Sequence, residues 1–285
     1  MIRTRSRDRS GAGDPAPERL GAEAGVLDAS PLVDGFPGKT STHGSFGWSS
    51  VWLLRGTEHT VLVDTGPPSY VPMIVEGLAV HGLAPSDVTD VLLTHSHWDH
   101  LGNASMFRQA RKWIGRAELD WGLVQPADVP FVSQPLLAAV AQPEDALRPI
   151  EGDGPLLPGV RAYLVPGHTP GHLAYLAETT RGPLLFVGDA AKNVHELEAL
   201  VIDSAIDKEL GAASMARIRD IAAETGATVV PGHDVPCRLT DDGWRRESVQ
   251  AAELQFYHRR DADPLRVALN DQEPGHVAVR STDAI

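Results

Sequence analysis

Cysteine is nearly missing from this chain: Cys237 is the single one among 285 residues. One cysteine cannot close an internal disulfide, which excludes a stapled secreted scaffold, and Cys237 reads as a small buried residue rather than a nucleophile. Long apolar runs are also lacking. No stretch reaches the roughly eighteen residues that read as a membrane span, and the first thirty residues have no apolar segment of the kind a secretory signal carries. The expectation is a cytoplasmic protein with no membrane partner. Positive charge is in deficit: 25 Lys and Arg against 38 Asp and Glu give a net −13. Such a chain repels phosphate backbones, and the early arginines (Arg3, Arg5, Arg9) are interleaved with acids, so a nucleic-acid partner is not expected.

What is present has the patterning of one layered α/β domain over 25–265. It is preceded by a Gly-, Pro- and charge-rich tail at 1–24 and followed by a loose tail at 266–285. A loop-rich lead-in covers 25–40. Strand-like runs stand at 50–55, 60–64, 88–94, 159–165, 173–178 and 183–187, with a last short one at Val229 and Val230. Helical spacing marks 70–81, 103–109, 207–224 and 240–262. The segment 117–146 reads as short helices interrupted at Pro126, Pro130, Pro135 and Pro143.

The chemistry is concentrated in Thr94-His95-Ser96-His97-Trp98-Asp99-His100, directly after a predicted strand. Imidazole and carboxylate suit zinc, iron or manganese. One ion cannot readily take all four ligands from so short a loop. Two ions can, because residues two apart in extended chain point the same way and Asp99 and His100 follow in a turn. Isolated signals recur at other strand ends. They are Pro166-Gly167-His168-Thr169-Pro170-Gly171-His172, then Phe186-Val187-Gly188-Asp189, then Pro231-Gly232-His233-Asp234, with glycines that let backbone come close to a site.

Together with Asp64 in Val63-Asp64-Thr65-Gly66, these motifs resemble, in order and over roughly 45–240, those of the metallo-β-lactamase superfamily. The resemblance implies a four-layer αββα sandwich with the site at one edge. It implies a first metal held by His95, His97 and His168, and a second held by Asp99, His100 and His233. Asp189 would bridge the two, and Asp64 would hold ligands and loop in place. The implied cofactors are two divalent ions, zinc first and manganese or iron otherwise. The implied reaction is attack of a metal-bridging hydroxide on a carbonyl, with Asp99 or a water returning a proton to the leaving group.

The phrase GHTPGHLAYL, then GDA, then PGHD, is most similar to the lactonase branch that opens N-acyl homoserine lactones. That branch often carries a tyrosine shortly after the bridging aspartate, where Ala190-Ala191-Lys192-Asn193 stands here, and Lys192 is the candidate for pairing with a substrate or product carboxylate. The walls of a small-molecule site are expected in the loop 34–49 and the segment 117–146. Phe36, Phe46, Trp48, Trp121 and Phe131 would supply apolar surface, and His172 and His43 are further candidates. Three alternatives stand beside this reading: a thioester hydrolase like glyoxalase II, a mononuclear iron dioxygenase acting on persulfides, and a non-catalytic binder that inherited the fold. A homodimer is left open.

Overall fold

The computed structural model describes residues 25–40, 44–256, 265–270 and 278–280; the tail read at 1–24 and the position of His43 lie outside them. The first half of the chain runs β1 (Asp28–Val33), β2 (Lys39–Thr40), β3 (Gly44–Ser45), β4 (Val51–Arg55), β5 (Thr60–Val63), α1 (Val71–Val80), β6 (Asp90–Leu92), α2 (Trp98–Leu101), β7 (Arg111–Gly115), α3 (Arg116–Leu123), α4 (Gln134–Val140) and β8 (Leu147–Ile150). The second runs β9 (Gly154–Leu157), β10 (Val160–Leu164), β11 (Leu173–Ala177), β12 (Leu184–Gly188), α5 (Val194–Ala199), α6 (Lys208–Thr225), β13 (Thr228–Pro231), β14 (Cys237–Thr240) and β15 (Gly243–Arg246). The first half forms a six-stranded sheet in the order β1-β4-β5-β6-β7-β8. The second forms a seven-stranded sheet in the order β15-β14-β13-β12-β11-β10-β9.

Strand periodicity explains the layers. Successive side chains point to opposite faces, and in β4 the alternation sorts Leu53 to one core and Trp52 and Leu54 to another. Leu53 meets Ile74 and Leu78 of α1 and Leu137 of α4 in the outer core of the first sheet. Trp52 and Leu54 meet Tyr175 and Phe186 of the second sheet in the core between the sheets. The far face of the second sheet, with Leu185, Val187 and Val229, packs on Met215, Ile218 and Ile221 of α6. Three cores separated by two sheets make an αββα sandwich, the predicted fold. Each fully buried Leu or Ile contributes about 1.5–3 kcal/mol. Helix α6 starts where Asp207 accepts the Leu210 amide and stops at Gly226.

The sequence reading and the structure differ in four places. The lead-in at 25–40 contains β1, paired with β4 through a register shift between Pro31 and Val33. The helix expected at 103–109 is a single 3-10 turn, Ala104–Met106, which gives way to β7. The helix expected at 240–262 is instead β15 and β16 (Ala251–Phe256) in its described part. The region read as a loose tail contains, among the described residues, β17 (Leu265–Asn270), which pairs with β16, and β18 (Ala278–Arg280), which pairs with β17.

The ligand motifs share one edge. Strands β5 and β6 are parallel, as are β12 and β13, so Asp64, His95, Asp189 and His233 all emerge at C-terminal strand ends. Strand β10 runs parallel to β12, since both are antiparallel to β11, and it delivers His168 to the same edge. The two sheets are stitched there by the Leu173 amide on the Thr94 carbonyl, 2.9 Å, and the Tyr175 hydroxyl on the Leu93 carbonyl, 2.8 Å.

Candidate metal centre

Asp64 anchors the histidine cluster. Its carboxylate accepts the Thr94 amide and hydroxyl, both at 2.8 Å, and pairs with His100 Nδ1 at 2.8 Å. That leaves His100 Nε2 as the inward-facing nitrogen. The Thr94 hydroxyl, having donated to Asp64, accepts from His95 Nδ1 at 3.1 Å, which turns His95 Nε2 inward in the same way. His168 Nδ1 donates to the Ser204 carbonyl at 2.7 Å, so its Nε2 carries a lone pair. These outer hydrogen bonds set tautomer and ring orientation, as is usual for metal-binding histidines.

The inward atoms fall into two groups. His95, His97, His168 and Asp189 bring one atom each within 4.8 Å of one another, and so do Asp99, His100 and His233. Asp189 reaches both groups. Its Oδ2 lies 3.4 Å from His168 Nε2, and its Oδ1 lies 3.1 Å from both His100 Nε2 and His233 Nε2. Asp99 Oδ2 lies 3.5 Å from His233 Nε2. His95 Nε2, His100 Nε2 and Asp189 Oδ1 are buried without a hydrogen-bond partner. An orphaned buried acceptor costs about 1–3 kcal/mol, and a cation shared among several such acceptors removes that cost. The nitrogen and oxygen donors fit a divalent ion of the zinc type.

The electrostatics agree with the geometry. Burial lowers the pKa of His95 and His97 well below the ordinary value and that of His168 to about 4, holding their lone pairs free at neutral pH. His100 is opposite. Burial alone would lower it, but Asp189, Asp64 and Asp99 outweigh burial and raise it well above the ordinary value. Burial would raise Asp189, yet His233 and His100 hold it well below the carboxylate range. Three carboxylates around one imidazole define a place where positive charge is stabilised.

The other candidate residues are placed as follows. His172 does not face an opening. It is fully buried, stacked on His95 at 4.7 Å, and its Nε2 accepts the Asp189 amide at 3.1 Å. It therefore orients Asp189, and its reading as a substrate contact is corrected. Phe131 stands over His97 with ring centroids 5.7 Å apart and 52% of its surface exposed. Its carbonyl accepts the Trp98 amide, and Val132 bridges to His97. Phe36, Phe46 and Trp48 pack on one another, with Phe36 and Trp48 stacked at 4.7 Å. Their loop abuts the metal turns through the Ser49 hydroxyl on the Asp99 carbonyl and the Ser50 amide on the Gly232 carbonyl. Trp121 sits half-buried on α3 and, among the described residues, makes no ring contact with the histidines. Lys192 Nζ lies 3.8 Å from Glu196 Oε1, close enough to His168 to disfavour its protonation. Cys237 is buried in the outer core of the second sheet, and burial pushes its thiol well up.

Sequence reasoning missed three supports. Glu118 is a fully buried acid on α3, Glu196 accepts the Lys192 and Asp203 amides, and Asp234 accepts Arg246, Gln250 and the Val194 amide. Only Asp234 carried a signal, as the acid completing Pro-Gly-His-Asp.

A two-sheet sandwich with histidines and carboxylates converging at one edge defines a metal-binding αββα protein. The chain belongs to the metallo-beta-lactamase superfamily, whose profile matches residues 44–233. It is 29% identical over 211 residues to an N-acyl homoserine lactonase from Bacillus sp, covering 65% of this chain and 81% of that protein. It is 31% identical over 210 residues to metallo-beta-lactamase domain-containing protein 1 of Rattus norvegicus, covering 73% of this chain and 72% of the relative. Among solved structures it is similar to AidC, a dizinc quorum-quenching lactonase in complex with a product. That likeness has a TM-score of 0.59 and 21% identity, and covers 70% of this chain and 79% of that one. A metal-dependent hydrolase of this superfamily is the class that site and relatives support.

Proposed function

We propose that this protein is a hydrolase that opens the ester bond of a small lactone at two divalent metal ions, zinc in the first instance. His95, His97 and His168 would hold one ion, Asp99, His100 and His233 the other, with Asp189 shared. The observation that carries the reading is Asp189: its two oxygens face the two ligand groups separately, at 3.4 and 3.1 Å. When bound, such ions polarise a carbonyl oxygen and make water acidic enough to ionise near neutral pH. The protein's own groups do the rest. The rings of Phe131 and the loop 34–49 exclude water from the mouth, and Asp99, partly open to solvent, is the carboxyl placed to pass a proton to the leaving alkoxide. Lys192, at the rim beside His168, is suited to pair with the carboxylate that ring opening creates. The lactone preference is supported by the relationship to N-acyl homoserine lactonases.

The test is metal analysis of the purified protein beside a panel of lactones, thioesters, simple esters and β-lactams. Two zinc ions per chain and lactone turnover are expected, with nearly all turnover lost in Asp189→Ala and a raised KM in Lys192→Met. One iron per chain with oxidation of persulfides would overturn the reading in favour of a dioxygenase. Thioester turnover alone would move it to the glyoxalase II type. A function intact in Asp189→Ala would make the protein a binder.

A further inference from the structure

Glu118 is an acid wholly shut off from solvent, an arrangement that burial alone makes costly. Its carboxylate is fully buried in the first turn of α3, where the helix dipole favours negative charge. Oε1 accepts the Ser96 amide at 2.8 Å and the Ser96 hydroxyl at 2.5 Å; Oε2 accepts the Gly171 amide at 3.1 Å. Those partners lie on different turns from different halves of the chain. Ser96 sits between His95 and His97. Gly171 sits between His168 and His172, and His172 in turn accepts the Asp189 amide. One carboxylate thus connects to all four members of the first ligand group. The approach is tight: a Cβ on Gly171 would come within 2.0 Å of the Glu118 nitrogen, so only glycine lets the turn settle on α3.

We propose that Glu118 is the positioning residue of the first metal site. It fixes the distance between the turn at 95–97 and the turn at 166–172, and with it the affinity and ligand field of the ion held by His95, His97, His168 and Asp189. Asp64 does the corresponding work for His100 on the other side. The proposal rests on the metal reading above but not on the number of ions or on the substrate. In Glu118→Gln the shape is kept. One oxygen still accepts from Ser96, but an amide NH2 then confronts the Gly171 N–H, donor against donor, and the turn at 166–172 is released.

The experiment is titration of the metal-free full-length protein with Co2+, read by its visible absorption bands and by competition with a chromophoric chelator. Glu118→Gln is expected to lose about 10–100-fold in affinity at one site, in the range typical of groups that orient ligands, with altered bands for that site. The other site should keep its affinity. Ser96→Ala, which removes the hydroxyl donor and leaves the Ser96 and Gly171 amides, should show a smaller loss at the same site. Wild-type affinity and bands in both variants would overturn the proposal, as would a lowered melting temperature of the metal-free protein with unchanged Co2+ binding. Should Glu118→Gln fail to fold, Ser96→Ala decides, and wild-type behaviour there overturns it. A wild type that takes up one ion, with the loss still seen in Glu118→Gln, retires the two-ion reading and keeps this one.

Discussion

Phe131 holds a backbone conformation, φ 69°, that residues with a Cβ avoid, at a cost of order 1–3 kcal/mol. The cost is met where its carbonyl takes the Trp98 amide and Val132 bridges to His97, which fixes the ring over the His97 imidazole with half its surface left in solvent. Replacing it by glycine relieves the backbone and removes the wall. The expected outcome for Phe131→Gly is an unchanged or slightly higher melting temperature. For long-chain acyl lactones KM should rise about tenfold, equivalent to ~1.4 kcal/mol of lost apolar contact, with little change for short chains. Steady-state kinetics over a chain-length series checks this, and an equal effect at every length would exclude Phe131 as an acyl wall. At this scale the candidate metal cluster was legible because four potential donors fall within six residues. Glu118 was not. In Arg116-Ala117-Glu118-Leu119-Asp120 it looks like one more solvated acid beside Asp120, and only the tertiary placement of Ser96 and Gly171 turns it inward. For His172, sequence names the turn without saying which way the ring faces.

Elements were legible where one periodicity dominates. Strand β4 and helix α6 fall within a few residues of expectation, because a short apolar run closed by a turn and a helix opened by the Asp207 cap are local signals. The failure at 240–262 is instructive. Thr240 pairs with Gly243 across Asp241-Asp242, and Gly243 has φ 110°, so a tight hairpin stands where the basic and aromatic residues suggest a helix face. Turn chemistry outweighs composition there. Strand β6 shows the opposite kind of constraint, set by one buried acid. Asp90 accepts Arg111 Nε at 2.7 Å, Trp113 Nε1 at 2.8 Å and the Thr89 hydroxyl at 2.8 Å, and lies 3.1 Å from His59 Nδ1. It locks β6 to β7 at the end of the sheet away from the metal centre. Burial would raise its pKa, but these donors outweigh burial and hold it below the ordinary 3.8. The folded state therefore takes up this proton at lower pH than the unfolded chain. Its stabilisation is complete above 3.8 and is lost as pH falls through the folded value. Asp90→Asn is expected to cost about 1–3 kcal/mol at pH 7, with a gap to the wild type that narrows towards pH 3. Urea unfolding at both pH values measures it, and a gap independent of pH would show that the carboxylate's charge is not what holds the two strands.

On the scale of the whole molecule, the metal centre is where the two halves of the chain meet. His95, His97, Asp99 and His100 come from the first sheet, and His168, Asp189 and His233 from the second. The core between the sheets holds the halves together along their length. At the site edge the interior is polar instead, and His95 Nε2, His100 Nε2 and Asp189 Oδ1 are buried there without a hydrogen-bond partner. An ion bound there would take ligands from both sheets, so it links them and stabilises the native state by mass action. An ion at 100 times its Kd contributes about 2.7 kcal/mol, and each kcal/mol moves the melting temperature of a domain of this size class by roughly 2–4 °C. Removal by a chelator should therefore lower the melting temperature by about 5–10 °C, and added zinc should restore it. Asp189→Ala distinguishes this coupling from a general effect of the chelator. It takes away the residue that faces both groups, so its melting temperature should already lie near that of the metal-free wild type and respond little to chelator. Equal chelator sensitivity in the two proteins would mean that the cation stabilises the fold from somewhere other than the seam between its sheets.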